Sequence, residues 1–202
     1  LRMVKTKGEI DKIKQAVQIT DEAFTEIRDY IQLGDIERDI ALKLEMTMKQ
    51  KEASKNAFDF IVASGHRSAL PHGVASDKKI SAGEFLTMDF GCVYQGYHSD
   101  MTRTVVVGAE PTAKQKEIYN LVLEAQQEAI QAIKAGVKAS EIDKIARDII
   151  SDAGYGDYFG HGLGHAVGLE IHENPRLSKT DDRILETGMV VTVEPGIYLP
   201  DW

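Results

Sequence analysis

The same succession of patterns occurs twice along this 202-residue chain: two amphipathic helical segments, then short runs with β-strand character. Apolar residues recur at three- and four-residue steps over residues 10–31 and 36–48, and again over residues 118–133 and 142–149. This is the spacing of one helix face. The halves divide near residues 108–111 and share no evident sequence identity. We therefore predict one α+β domain over the whole chain, with two similar helix-helix-strand lobes and a site in the cleft between them.

Glycines and capping residues indicate where these helices begin and end. Gly34 is expected to end the first helix, and Asp35 to cap the second. Thr112, with Gln115 three residues later, has the spacing of a capping box. Ser140 is expected to cap the fourth helix.

Composition excludes several classes of protein. The formal net charge is −8, and Lys and Arg do not cluster with aromatic residues, so no nucleic-acid partner is expected. No apolar run reaches the roughly 18 residues of a membrane-spanning helix. Cys92 is the single cysteine, so no intrachain disulfide can form, and we expect a small buried residue in a cytoplasmic protein.

Two aspartates stand at the edges of predicted strands. Asp89 lies near the end of the apolar run 85–90, and Asp100 lies at the start of the run 99–105. The glycine and polar residues between these runs suit a turn, so pairing of the two strands would bring both carboxylates onto neighbouring strands. A buried carboxylate needs a metal, a cation or a hydrogen-bond donor. Backbone amides or Arg103 are the structural alternative for either aspartate alone.

A third carboxylate follows another predicted strand. Met189–Val193 is rich in β-branched residues and is expected to be a buried strand that ends at Glu194, before the turn at Pro195 and Gly196.

Histidines are concentrated in one short segment. Three of the six histidines lie within residues 161–173, among several glycines that let the backbone approach closely. His66 and His98 lie outside this segment, and we expect both on loops or at the surface. A site of carboxylates with one or two imidazoles suits Mn²⁺, Fe²⁺, Co²⁺ or Zn²⁺. Two bridged ions can share a hydroxide and polarise a carbonyl, so the residues predict metal-assisted hydrolysis of an amide-like bond.

Five segments together resemble the signature of the proline peptidases among the pita-bread-fold metallopeptidases, the group of aminopeptidase P and prolidase. They are His161–Glu173, Leu70–Gly73, Met88–Gly91, Ser99–Thr104 and Val193–Gly196. They occur in the order of the family and span most of the chain. The resemblance implies the pita-bread fold for the two lobes.

The resemblance also implies a metal-ligand set. Asp89 would bind one metal ion, and Asp100 would bridge both. His165 and Glu194 would hold the other ion, with Glu194 also serving as general base for the bridging water. The expected cofactors are two divalent ions, with Mn²⁺ as first choice and Co²⁺, Zn²⁺ or Fe²⁺ as alternatives.

Three further histidines receive roles from the resemblance. His72 and His172 would contact the scissile carbonyl and the leaving group and would shuttle protons. His161 resembles the additional histidine of the proline branch, near the pocket for the residue after the cut. Methionine aminopeptidases, which are more distant relatives, generally lack a histidine there.

The function that the resemblance implies is hydrolysis of the peptide bond before proline, by an Xaa-Pro aminopeptidase or an Xaa-Pro dipeptidase. The expected partner is a peptide with proline at its second position, without nucleic acid or membrane, and a homodimer is left open. The alternatives are a creatinase-like non-peptidase hydrolase and a catalytically inactive binding module on the same fold.

The family pattern extends beyond the sequence at hand. The family supplies a fifth ligand, a bridging glutamate shortly after the segment that corresponds to Glu194–Gly196, and an N-terminal domain before the first helix. We therefore expect residues 1–202 to be the catalytic domain of a longer protein, cut off before its last metal-ligand strand. By itself this domain would bind metal weakly or with one site empty, and it would hydrolyse little.

Overall fold

The computed structural model describes residues 2–70, 73–200 and Trp202. The chain divides into two compact units. The first unit comprises Asp11–Thr112 and Leu199–Trp202, and the second comprises Leu1–Ile10 and Ala113–Tyr198. Among the described residues, no helix combines the length and the apolar character needed to cross a membrane.

The first unit follows the predicted order of two helices and then strands. Its elements are α1 (Lys7–Tyr30, of which the first turn belongs to the second unit), α2 (Glu37–Gln50), β1 (Lys55–Asn56), β2 (Ile61–Ser64), β3 (Phe85–Phe90), β4 (Cys92–Tyr94), β5 (Tyr97–His98) and β6 (Met101–Val106). The strands form two antiparallel sheets, ordered β2-β3-β6 and β1-β4-β5. The core joins helix residues such as Ile27 and Leu44 to strand residues such as Met88 and Phe90, all fully buried.

The second unit repeats this order with α3 (Ala113–Ala132), α4 (Ala139–Asp152), β7 (Gly164–Ala166) and β8 (Glu173–Leu177). Strands β7 and β8 pair antiparallel, with a register shift between His165 and Ala166. Ala129, Ile142 and Leu163 belong to its buried core. Because α3 and α4 pack through alanine and isoleucine at helical spacing, the periodic pattern predicted both helices.

The residue that precedes α2 differs from the prediction. The helix begins at Glu37, and the cap position is Ile36, which makes no side-chain capping bond. Asp35 lies one residue too early, and its Oδ2 instead accepts a hydrogen bond from the backbone N–H of Gln32 at 2.8 Å. Gly34 occupies the turn between the helices with φ of +89°, a conformation that glycine adopts without steric cost.

The predicted cap of α4 was also wrong. Ser140 is the second residue of the helix, and its Oγ donates to Asp182 Oδ1 at 2.7 Å. The helix begins earlier because Glu141 Oε2 accepts a hydrogen bond from the backbone N–H of Lys138, at 3.4 Å. Helix α3 begins at Ala113, directly after Thr112, which agrees with the predicted boundary.

Met189–Val193 is not a regular strand. One isolated bridge joins Val191 to Ala166, and the segment is half-buried rather than buried. Its backbone still bonds to β7, because Thr192 N–H donates to His165 O at 2.7 Å and Glu194 N–H donates to Leu163 O at 2.8 Å. A partner strand of three residues with a register shift is too short and irregular to support a full ladder.

The predicted exposure of three further residues was correct for Cys92 and His66 but not for His98. Cys92 is fully buried and His66 is exposed, as expected. The loop or surface position predicted for His98 was wrong, since this residue lies in a strand and is 8% exposed. It lies in β5 opposite Val93 of β4, so sheet pairing covers it.

Candidate metal centre

The two aspartates of the first unit lie on paired strands. Strands β3 and β6 are antiparallel, with Asp89 opposite Thr102 and Phe90 opposite Met101. Asp100 lies two residues before Thr102, immediately ahead of β6. Because side chains alternate between the faces of a sheet, Asp89 and Asp100 belong to the same face, as diagonal neighbours. The predicted pairing of these two strands is therefore confirmed.

The opposite face of β3 is part of the core. Leu86, Met88 and Phe90 are fully buried, whereas Asp89 is half-buried and has its Oδ1 shielded from solvent. The carboxylate therefore points away from its apolar chain neighbours. Arg103, the structural alternative considered for these aspartates, contacts Thr102 O at 2.9 Å and lies over the ring of Phe24. These contacts do not support a role for Arg103 as the counter-ion of the aspartates.

In the second unit, Thr192 aligns a histidine with a glutamate. The backbone N–H of His165 donates to Thr192 Oγ1 at 3.0 Å, and the backbone N–H of Thr192 donates to His165 O at 2.7 Å. Thr192 Oγ1 in turn donates to Glu194 Oε1 at 2.6 Å. These three bonds place His165 Nε2 3.2 Å from Glu194 Oε1.

The surroundings of His165 and Glu194 suit the binding of a metal cation. His165 Nδ1 faces the carbonyl oxygen of Ala166 at 3.1 Å, so Nε2, beside Glu194, is the ring nitrogen that would bind a cation in exchange for its proton. Burial would raise the pKa of Glu194, but hydrogen bonds with His165 and Thr192 and the charges of His165 and His161 hold that pKa below its ordinary value. An imidazole nitrogen and an ionised carboxylate side by side are suitable ligands for a divalent transition metal.

His172 also belongs to this part of the second unit. It ends the loop between β7 and β8, and its exposed ring contacts the ring of His165 edge-on, with centroids 4.4 Å apart. The structure thus brings together three of the predicted residues: His165, His172 and Glu194. His72, predicted to shuttle protons, lies outside the described residues.

His161 is held separately, among aromatic rings. Its Nδ1 lies 2.7 Å from Gly162 O and its Nε2 lies 2.8 Å from Tyr198 Oη. The rings of Phe159 and Tyr198 contact it edge-on, at centroid distances of 5.1 and 5.4 Å. Because the Gly162 carbonyl can only accept, Nδ1 carries a proton, and in the neutral ring Nε2 accepts from the Tyr198 hydroxyl. Sequence reasoning missed Tyr198, whose only signal is an aromatic residue shortly after the Pro195–Gly196 turn.

A buried ion pair on α4 supports the segment that carries His161. Arg147 binds both oxygens of Asp143, at 2.9 and 2.8 Å, and donates to Phe159 O at 3.0 Å and to His161 O at 2.7 Å. Asp143 Oδ1 also accepts from Leu163 N–H at 3.0 Å. Sequence reasoning missed this pair as well. Its signal is an acid and a base four residues apart on the buried face of a helix.

Comparison with known proteins places the chain in a family. The model of "Metallopeptidase family M24" matches residues 11–202. An Xaa-Pro dipeptidase of Pyrococcus furiosus is 56% identical over 200 residues, which cover 99% of this chain and 57% of that protein. This chain therefore spans little more than half the length of that relative.

Solved structures agree with this family. A prolidase from Pyrococcus furiosus matches with a TM-score of 0.97 and 56% identity, over 99% of this chain and 59% of that one. An X-Pro aminopeptidase from Thermotoga maritima matches with a TM-score of 0.95 and 51% identity, over 98% of this chain and 56% of that one. These matches confirm the predicted pita-bread fold. The chain belongs to metallopeptidase family M24.

Proposed function

We propose that the protein hydrolyses the peptide bond before proline in a metal-dependent reaction, with Xaa-Pro dipeptides as the first substrate class to test. The observation that carries the proposal is the adjacency of His165 Nε2 and Glu194 Oε1, at 3.2 Å, in a chain of family M24. Relatives named Xaa-Pro dipeptidase are 56% and 54% identical, which favours the dipeptidase. Xaa-Pro aminopeptidase activity is the second candidate, supported by the 51% identical Thermotoga structure.

The metal ligands in this proposal are Asp89 and Asp100 from the first unit, with His165 and Glu194 from the second. Three carboxylates and one imidazole suit Mn²⁺, our first choice, and also Co²⁺, Zn²⁺ or Fe²⁺. Two bound divalent ions would polarise the scissile carbonyl and lower the pKa of bound water. Adjacency of the ligands within each unit supports this assignment.

The proton transfers are assigned to side chains around this ligand set. Glu194, which His165 and Thr192 keep ionised, is the proposed base that accepts the proton of the attacking water. His172 has an exposed ring in contact with His165 and is proposed to exchange protons with the substrate. His72 is proposed for the same task at the leaving group, from its motif position alone.

Recognition of proline is assigned to His161. Proline has no backbone N–H to donate, so a pocket that selects it needs apolar surface rather than a hydrogen-bond acceptor. The half-buried Tyr198 ring, edge-on to His161, supplies such surface, and both ring nitrogens of His161 are already engaged.

The remaining proposals concern assembly and location. Besides the peptide substrate, a homodimer is the assembly that we propose to test by light scattering. The net charge of −8 supports the proposal that nucleic acid is not a partner. A cytoplasmic location is supported by the single, buried cysteine. Retention of Asp89, Asp100 and Glu194 favours a peptidase over a creatinase-like enzyme or an inactive binding module.

The test is hydrolysis by the intact protein after metal removal and re-addition of one divalent metal at a time. We expect Mn²⁺-dependent release of proline from Gly-Pro, little action on Gly-Ala, and slower action on Gly-Pro-Gly if the protein is a dipeptidase. His165→Ala should lose both metal and activity while staying folded, whereas His66→Ala, at an exposed residue outside the motifs, should retain both. Equal cleavage of Gly-Pro and Gly-Ala, or full activity of His165→Ala, would contradict the proposal.

A further inference from the structure

A buried ion pair in the second unit joins the start of the chain to the histidine-rich segment. Lys5 Nζ lies 3.1 Å from Glu173 Oε2, and the two side chains are 2% and 6% exposed. An ionised group taken out of water is costly unless an opposite charge and hydrogen bonds compensate it. Loss of either side chain would therefore leave the other as an uncompensated buried charge.

Glu173 holds the loop that precedes it. It opens β8 opposite Ala166 of β7, so residues 167–172 form the connecting loop. Its second oxygen, Oε1, accepts from the backbone N–H of Glu170 within that loop, at 3.2 Å. Gly168 packs against the same carboxylate so closely that an added Cβ would lie 2.8 Å from both oxygens. The carboxylate thus fills the space beneath the loop.

Lys5 approaches Glu173 from a fixed backbone. Its N–H donates to Gly188 O at 2.9 Å, and a Cβ at Gly188 would lie 3.1 Å from Lys5 O. One residue later, Thr6 begins a hydrogen-bonded turn with Glu9 at the start of α1. The Lys5 ammonium group therefore extends from a backbone segment that hydrogen bonds hold at Lys5 itself and at Thr6.

The last residue of this loop is His172, whose ring contacts His165. The His172 ring is exposed, so burial constrains it little, and the backbone of the loop sets where the ring can reach beside His165. We propose that the Lys5–Glu173 pair sets the position of His172 beside His165, and that Lys5 is a positioning residue for the reaction. The role in the reaction rests on the function proposed above, whereas the position of the loop does not.

The chain offers a matched control. Arg2 and Glu170 form a second ion pair between the same two segments, at 2.8 Å, but their side chains are 58% and 66% exposed. Exposed pairs contribute little to stability. Arg2→Met therefore removes a cation from the same segment without uncovering a buried charge.

The experiment compares Lys5→Met, Glu173→Gln, their double variant and Arg2→Met in the intact, metal-loaded protein. For Lys5→Met we expect kcat on Gly-Pro to fall about 10- to 100-fold, with KM changed less than about threefold and metal content retained, because displacement of a catalytic group costs that much. The double variant has no buried charge and keeps an acceptor for Glu170 N–H, so it should recover at least about tenfold over Lys5→Met. Arg2→Met should match the wild type.

A second readout does not depend on activity. In protein loaded with Zn²⁺, which is diamagnetic, the Cε1–H resonance of His172, assigned by its loss in His172→Gln, should shift or broaden in Lys5→Met and return in the double variant. If Lys5→Met does not fold, the same quantities, kcat and the His172 resonance, are compared between Glu173→Gln and the double variant. A lower melting temperature with unchanged kcat and an unchanged His172 resonance would overturn the proposal. If the wild type does not cleave Xaa-Pro peptides, the proposed function fails, and the resonance alone decides the position of the loop.

Discussion

Tyr198 Oη lies 2.8 Å from Nε2 of His161, and the Gly162 carbonyl engages the other ring nitrogen at 2.7 Å. Two bonds at opposite sides of an imidazole fix both its orientation and its tautomer. The ring proposed to contact proline is thus positioned before substrate arrives.

Tyr198→Phe should remove the bond to Nε2 and keep the aromatic contact. We expect KM for Gly-Pro to rise several-fold with little change in kcat, and the free energy of unfolding to fall by about 1 kcal/mol. Steady-state kinetics and urea unfolding measure both. Tyr158→Phe, at an exposed ring of the same unit, is the control and should behave as the wild type. An unchanged KM in Tyr198→Phe would refute the positioning role of the hydroxyl.

Arg147→Met should be strongly destabilising. It leaves the buried Asp143 without its counter-ion and removes the donors to Phe159 O and His161 O. Breaking a buried pair from one side costs roughly 3–5 kcal/mol. Lys144→Met, which breaks the exposed pair with Asp148 on the same helix, should cost less than about 1 kcal/mol. Similar urea midpoints for the two variants would show that the buried pair contributes little.

Gly164→Ala should disrupt the contact between β7 and the segment that leads to Glu194. A Cβ at this position would overlap the carbonyl oxygen of Thr192, which is backbone and cannot turn aside. We expect a loss of roughly 1–3 kcal/mol in stability and weaker metal binding, since His165 and Glu194 would separate. Gly160→Ala has open space around it and is the control. Calorimetric metal titration and urea unfolding of both variants decide the outcome.

Glu37 should make the first unit sensitive to acid. Burial would raise the pKa of this carboxyl, but hydrogen bonds from Ser76 and Ser64 and the charge of Arg67 outweigh burial and lower it. Because the folded-state pKa lies below the unfolded value, near 4.5, its contribution is complete above that pH. The contribution is then lost as the pH falls through the folded-state pKa.

Glu37→Gln tests this pH dependence. At pH 7 we expect it to lower the free energy of unfolding by roughly 1–3 kcal/mol, since buried donors lose a charged acceptor. The difference from the wild type should shrink as the pH falls below 4.5. Glu128→Gln, on an exposed face of α3, should have little effect at either pH. A difference that stays constant from pH 7 to pH 3 would contradict the prediction.

Local patterns predicted the features that depend on neighbouring residues in the chain. Apolar periodicity predicted the four α-helices of the described residues, and the two apolar runs around Asp89 and Asp100 predicted the pairing of β3 with β6. The strand expected at Met189–Val193 failed because a strand needs a regular partner, and β7 is short and shifted in register. The sequence shows β-branched residues but not the length of the strand that pairs with them.

Features that depend on contacts between residues far apart in the chain could not be predicted from the sequence, for a different reason. Burial of His98 depends on the pairing of β5 with β4, and the partner of His161 is a tyrosine 37 residues away. The residue types at these positions are equally common on surfaces, so they carry no signal until the fold brings their partners together. The Asp89, Asp100, His165 and Glu194 assignments rested instead on the order of the motifs.

The ion pair between Lys5 and Glu173 has a consequence for the order of events during synthesis. Lys5 is made before either of its partners, because Glu173, the partner of its side chain, comes 168 residues later and Gly188, the partner of its backbone N–H, later still. Helices α3 and α4 can form from local contacts as soon as they emerge, whereas closure of so long a loop must await its far end. The ion pair that supports the loop of His172 therefore cannot form until Glu173 has been made, so α3 and α4 can fold before this loop is held in place.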